Sequence, residues 1–192
     1  MPGRWERTTV AVLLVVAPLV CACTEPRAES PGRPVEAFAE LKNAQGQSVG
    51  SAVFREDGGR VRVVVQTRGL TPGRHGIHIH DVGRCEAPTF QSGGDHFNPA
   101  GKAHGLENPA GAHAGDLPDL EADASGAAEY VTVTDRMTLG TGPASVLDAD
   151  GSAIVIHAQP DDQRTDPSGN SGDRVLCGRL VPRPALAFAT RP

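Results

Sequence analysis

The sequence predicts an all-β domain, a β-sandwich or flattened barrel of about eight short antiparallel strands. Three observations predict it. Apolar and polar residues alternate through short runs, the period of half-buried strands. The runs are separated by turn residues drawn from a stock of 23 glycines and 16 prolines. No long helical period and no internal repeat interrupts the series. At 192 residues the chain can bury one self-sufficient core. A net charge of -5 and an aromatic content of 4% exclude a nucleic-acid binder, which needs basic surface and stacking rings.

The chain opens with an export-type segment. Arg4 and Arg7 precede an apolar run over 8–20 that is too short for a comfortable membrane span. Val20-Cys21-Ala22-Cys23 resembles a bacterial lipobox, and Cys23, preceded by the small Ala22, is the better site of lipidation. An ordinary cleaved signal is the alternative. Residues 1–23 therefore read as a signal peptide with lipobox, and 24–34, rich in Pro, Glu, Arg and Ser, as a flexible linker. Residues 35–182 read as the folded domain, and 183–192 as a tail with no legible pattern. The expected location is outside the cytoplasm, at the outer face of a membrane or in the cell envelope.

Within the domain, strands are predicted over 35–42, 48–55 and 60–67, with Asp57-Gly58-Gly59 as a hairpin-type turn. Thr71-Pro72-Gly73 turns into a strand holding Gly76-Ile77-His78-Ile79-His80-Asp81. Further strands are predicted over 116–122, 127–135, 152–158 and 174–182. Two long loops remain. The first, 85–116, is long for a segment without structure, which points to function or an external clamp. The second, 159–173, is polar. Cys85 and Cys177, an even pair in an exported chain, read as a disulfide, with two buried free thiols as the alternative.

The strand around His78 is where chemistry enters. Successive side chains alternate faces, so His78 and His80 point the same way, about 6.6–6.8 Å apart along the strand, within reach of one ion. Ile77 and Ile79 face the other way, into a core. Alone, the pair would read as two solvated histidines on an edge strand. Five further histidines, with an aspartate and a cysteine at matching places, favour metal instead.

The blocks Gly-x-His-x-His-x-x-Gly-x-Cys, His-Phe-Asn-Pro, His-Ala-Gly-Asp-Leu, Ile-Val-Ile-His, Asp-Pro-Ser-Gly-Asn-Ser-Gly and Arg-Val-Leu-Cys-Gly follow in the order seen in copper/zinc superoxide dismutases. The chain resembles the bacterial exported branch of that family from about 35 to 182. The resemblance implies Greek-key connections and dismutation of superoxide with copper and zinc as cofactors. It assigns copper to His78, His80, His96 and His157, and zinc to His96, His104, His113 and Asp116, with His96 bridging. Imidazole suits copper, and three nitrogens with one carboxylate oxygen suit a closed, structural zinc site. Asp161 is implied to accept hydrogen bonds from His78 and His104; a solvated acid is the alternative. Arg174 is implied to hold the anionic substrate, and His96 to carry a proton. His75 matches a position that is not a ligand and is expected to hydrogen-bond between loops.

Two departures stand out. The 159–173 loop holds four aspartates against the single cation Arg164, and Asp95 stands where glycine or proline is expected. Weak electrostatic steering, or steering carried by Arg164, and a rate only modestly sensitive to salt, are the expectations. Superoxide is the expected partner, with membrane contact only through the lipid anchor, and a homodimer is left open. A non-catalytic exported copper/zinc-binding protein on the same fold is the alternative function.

Overall fold

The computed structural model describes residues 35–183. The signal segment with Cys23, the linker, and 184–192 lie outside the described residues. Ten short strands form: β1 (Val35–Asn43), β2 (Ser48–Asp57), β3 (Arg60–Thr67), β4 (Gly73–His75), β5 (Ile77–His80), β6 (Leu120–Ala122), β7 (Ala128–Thr134), β8 (Ala153–His157), β9 (Arg174–Arg179) and β10 (Val181–Arg183). One 3-10 turn, Gln91–Gly93, is the only helical element among the described residues.

Eight strands make one antiparallel sheet in the order β5-β8-β9-β1-β2-β3-β7, with β10 also on β1. The chain leaves β3, builds β4 to β6 elsewhere, and returns as β7 against β3, which is a Greek-key connection. The separate β4–β6 pair links the two ends of the sheet: β4 runs into β5 through Gly76, and β6 packs beside β7. The sheet therefore curls into the flattened barrel expected.

Alternation decides what each strand buries. Ala37, Ala39, Leu41, Ala52, Phe54, Val61, Val63 and Val65 point into the barrel, and Ile77, Ile79, Ile154 and Ile156 join them. At the β2–β3 turn, Asp57 pairs with Arg60 across Gly58 and Gly59, both at positive φ (56° and 74°), as a two-residue hairpin needs. β5 and β8 are buried on both faces. Their outer face carries a second small cluster of Phe90, Ala153, Val155 and Cys177, with Cys85 against it. The cover is the 85–116 loop, tied down by the Cys85–Cys177 disulfide across 92 residues of sequence. In a chain-entropy account that closure contributes about 4–5 kcal/mol.

Three strand expectations shift. The predicted 116–122 strand starts only at Leu120, because Asp116 is drawn into a histidine cluster and Pro118 has no N–H to donate. The strand through His78 divides at Gly76, whose N–H donates to Gln159 O (2.8 Å). The last predicted strand divides at Leu180, whose N–H turns away to Ser152 O (2.9 Å).

Candidate metal centre

The register of β5 against β8 fixes the first part of the site. His78 sits opposite Val155, and His80 opposite Ala153, so both rings share the outer face with His157 at the end of β8. A bulge between Ile156 and His157 sets the last ring against Arg174 of β9. The free edge of β5 is then taken by the loop. Phe97 N donates to Ile79 O (2.8 Å), Ile79 N to Gly115 O (2.9 Å), and Gly115 N to Phe97 O (2.8 Å). His96 and Asp116 are thereby laid beside His80 and His78 as isolated bridges. Gly115 makes this possible: a Cβ there would stand 2.2 Å from Ile79 O.

Four imidazoles meet on that face. His78, His80, His96 and His157 each offer a nitrogen within 4.8 Å of the others, and all are buried. The outer nitrogen of each is held. His78 Nε2 donates to Asp161 Oδ2 (2.7 Å), His80 Nδ1 to Gly94 O (3.0 Å) and His157 Nδ1 to Gly172 O (3.1 Å). His96 Nδ1 lies 3.1 Å from Asp116 Oδ1. The inner nitrogens, His78 Nδ1 and the Nε2 atoms of His80, His96 and His157, are buried with no hydrogen-bond partner at all. A buried polar atom without a partner is costly; four of them facing one another describe a ligand shell.

A second set forms around Asp116. Its Oδ1 lies 3.0 Å from His104 Nδ1, 3.1 Å from His96 Nδ1 and 3.3 Å from His113 Nδ1, and the two ring nitrogens of His113 and His96 are 3.4 Å apart. Zinc bonds of about 2.0–2.1 Å in a tetrahedron put the donors about 3.3 Å from one another, so these spacings match. Asp116 Oδ2 is locked by the N–H groups of Gly105 (2.8 Å) and His113 (2.9 Å). His78, His96, His104 and Asp116 also cluster closely enough to surround an ion. His113 is the better fourth member, because His78 Nε2 is taken by Asp161 and its Nδ1 aims into the first set.

Electrostatics separate the sets. Burial lowers His78 to about 3 and His157 to about 4, against the pull of their hydrogen bonds to Asp161 and Gly172. Burial also takes His80 and His96 below the ordinary value. These rings stay neutral with a lone pair free. Burial acts on His104 too, yet hydrogen bonds to Asp116 and Asp161 carry it up to about 9. Burial opposes ionisation of both acids. Hydrogen bonds from His104 and His96 nevertheless hold Asp116 far below the carboxylate range, and those from His104 and His78 do the same for Asp161.

Asp161 joins the sets, accepting from His78 and, at 3.0 Å, from His104 Nε2. Arg174 donates to Phe90 O (2.9 Å) and Gly94 O (2.7 Å) and lines a cleft of about 880 Å3 together with His96 and His157. His75 stays out of both sets; its ring spans His157 O (2.7 Å) and Thr71 O (2.8 Å), and so ties the end of β8 to the turn before β4 rather than loop to loop. Arg164 lies outside the cleft, paired with Glu107 at 2.6 Å. Sequence reasoning missed the carbonyls of Gly94 and Gly172, the N–H groups of Gly105 and His113, and Arg136, whose Nη2 donates to Asp116 O (2.6 Å). Backbone partners leave no residue-type signal.

A family model described as copper/zinc superoxide dismutase matches residues 48–180. The superoxide dismutase [Cu-Zn] 2 of Aquifex aeolicus is 42% identical over 146 residues, covering 75% of this chain and 85% of that protein. The chain belongs to the copper/zinc superoxide dismutase family. Its reaction class is that of a superoxide dismutase, and its cofactors are copper and zinc. The superoxide dismutase [Cu-Zn] of Caulobacter vibrioides is 41% identical over 145 residues, covering 74% of this chain and 83% of that protein. The superoxide dismutase-like protein YojM of Bacillus subtilis is 43% identical over 145 residues, covering 74% of each chain. A crystal structure of a superoxide dismutase-like protein from Bacillus subtilis superposes with a TM-score of 0.73 at 41% identity, covering 75% of this chain and 97% of that one. The donor sets fit the family's metals: four imidazole nitrogens suit copper, and three nitrogens with a carboxylate suit zinc.

Proposed function

We propose that the enzyme dismutes superoxide to dioxygen and hydrogen peroxide outside the cytoplasm. His78 Nδ1 and the Nε2 atoms of His80, His96 and His157 would hold copper. The Nδ1 atoms of His96, His104 and His113, with Asp116 Oδ1, would hold zinc. One observation carries the reading: four buried nitrogens converge without partners while the far side of every ring is held. When bound, copper supplies the one-electron redox chemistry of a dismutation, and zinc a fixed charge in a closed site.

The chain's own residues do the rest. Arg174, fixed by two carbonyls beside the copper-side rings, binds the small anion by charge and by its remaining N–H groups. His96 presents Nδ1 to one set and Nε2 to the other, so it can hold a proton at Nε2 and pass it to the departing peroxide. Asp161 keeps His78 and His104 in fixed tautomers through their Nε2–H groups. The Cys85–Cys177 disulfide favours an oxidising compartment. A cleaved signal with a lipid anchor at Cys23, a tether over 24–34 and the domain over 35–182 complete the reading, with superoxide as substrate and room for a homodimer.

Loading the full chain with copper and zinc and following superoxide decay tests this. The His157→Ala variant should retain zinc, lose copper and lose nearly all activity. Equal decay rates in the two proteins would overturn the assignment. The second reading, a non-catalytic exported copper/zinc-binding protein, draws on the likeness to the superoxide dismutase-like protein of Bacillus subtilis. It predicts metal uptake without superoxide decay.

A further inference from the structure

We propose that the mouth of the metal cleft collects cations, speeding copper uptake and opposing the approach of superoxide. The proposal rests on the metal sites assigned above. Asp81, Asp95, Asp148, Asp150, Asp166 and Asp173 line the cleft, against only two cations, Lys102 and Arg174. The acids come from four separate segments: the end of β5, the loop before His96, the connection from β7 to β8, and the loop from β8 to β9. The fold gathers them around one opening. All but Asp81 are exposed. Among the described residues, Asp166 alone of the six comes within 4 Å of a basic nitrogen, at 3.8 Å from His113 Nε2. The other five charges are not cancelled by salt bridges.

An acidic rim alone would be a solvated patch. Here its floor holds His96 and His157, both more than nine-tenths buried, each with an unpartnered Nε2. A cation drawn to the rim therefore finds lone pairs beneath it. Superoxide meets the opposite field. Its one charged side-chain receptor at the floor is Arg174, which has spent two N–H groups on Phe90 and Gly94 carbonyls and feels the carboxylates of Asp95 and Asp81. Unlike charges attract and like charges repel over about 10 Å at moderate salt, and the field fades as ionic strength rises. Two opposite salt slopes follow from one surface.

Stopped-flow uptake of Cu(II) by the zinc-loaded, copper-free full chain tests this, read from the visible absorption of the copper site. Uptake should be at least about threefold faster at about 10 mM than at about 150 mM ionic strength. Superoxide decay by the fully loaded enzyme should instead rise with salt. The Asp95→Asn/Asp150→Asn variant should flatten both slopes. A control with the same change in net charge, Glu40→Gln/Glu129→Gln on the exposed outer faces of β1 and β7, should keep them. Uptake indifferent to salt, a control that flattens as much as the cleft variant, or superoxide decay that slows steeply with salt each overturns the proposal. No uptake at any salt overturns the copper-site assignment instead, and this inference with it.

Discussion

The strand-borne and loop-borne halves of the centre solve the same problem differently. On the β5–β8 wall, burial strips protons from the rings, and backbone carbonyls or Asp161 hold their outer nitrogens. In the loop, one carboxylate gathers three histidines, and at two groups hydrogen bonds together outweigh burial: His104 is carried upward while Asp116 is held ionised. The wall presents lone pairs before any ion arrives. The loop is preloaded with a proton that an ion must displace. A rigid sheet can tolerate unpartnered nitrogens because packing on both faces holds them apart. A loop needs an attractive centre to keep its shape.

Removing that centre should have the largest effect. Asp116→Ala takes from the buried His104 imidazolium one of its two carboxylates, leaving only Asp161, a change that costs up to about 3–5 kcal/mol. Thermal melts of the zinc-free protein should show the loss, and zinc retention should fall far more than copper retention. Loss of both metals in equal measure would mean that the halves are not distinct.

Asp161→Asn comes next, because Asp161 touches both halves. Weakening an outer hydrogen bond to a metal-bound histidine lowers affinity about 10–100-fold. Competition with chelators should show the drop for copper and zinc alike. A drop confined to zinc would show that the bond to His78 carries no weight.

The smallest effect is a sign difference with pH. Without metal, His104 has its folded value raised from 6.5 to about 9, so its stabilisation is full below pH 6.5 and is lost as pH rises towards 9. That limb has a slope of at most about 1.4 kcal/mol per pH unit. His78 and His157 are lowered, so they contribute the reverse: stability present above pH 6.5 and lost as pH falls towards 4. Melting temperature of the metal-free protein should therefore peak near pH 6.5, and zinc should abolish the alkaline limb only. A metal-free protein that gains stability from pH 7 to pH 9 would contradict the assignment for His104.

The same division governs what could be read from residues alone. Period-two alternation named the strands, because the interior of a curled sheet accepts apolar side chains from one face only. His78 and His80 were legible for that reason: strand spacing fixes direction, whereas the part of His157 leaned on resemblance to a family. His104, His113 and Asp116 carry no such rule, and their grouping leaned on resemblance to a family. The split of the His78 strand at Gly76 was illegible, since it depends on where Gln159 O happens to lie. Arg164 showed the limit for charge: it reads as a free cation in the chain but is matched by Glu107, more than fifty residues away.

The Gly94 carbonyl oxygen receives N–H groups from both His80 and Arg174. A single main-chain atom thus sets the separation between the residue that would greet the anion and a ring that would grip the metal. No side-chain truncation removes that atom, and a side chain added at Gly94 would collide with Asp81 Oδ1. Drift in loop composition can retune the surroundings, but the spacing of receptor and metal is inherited through the path of the peptide chain itself.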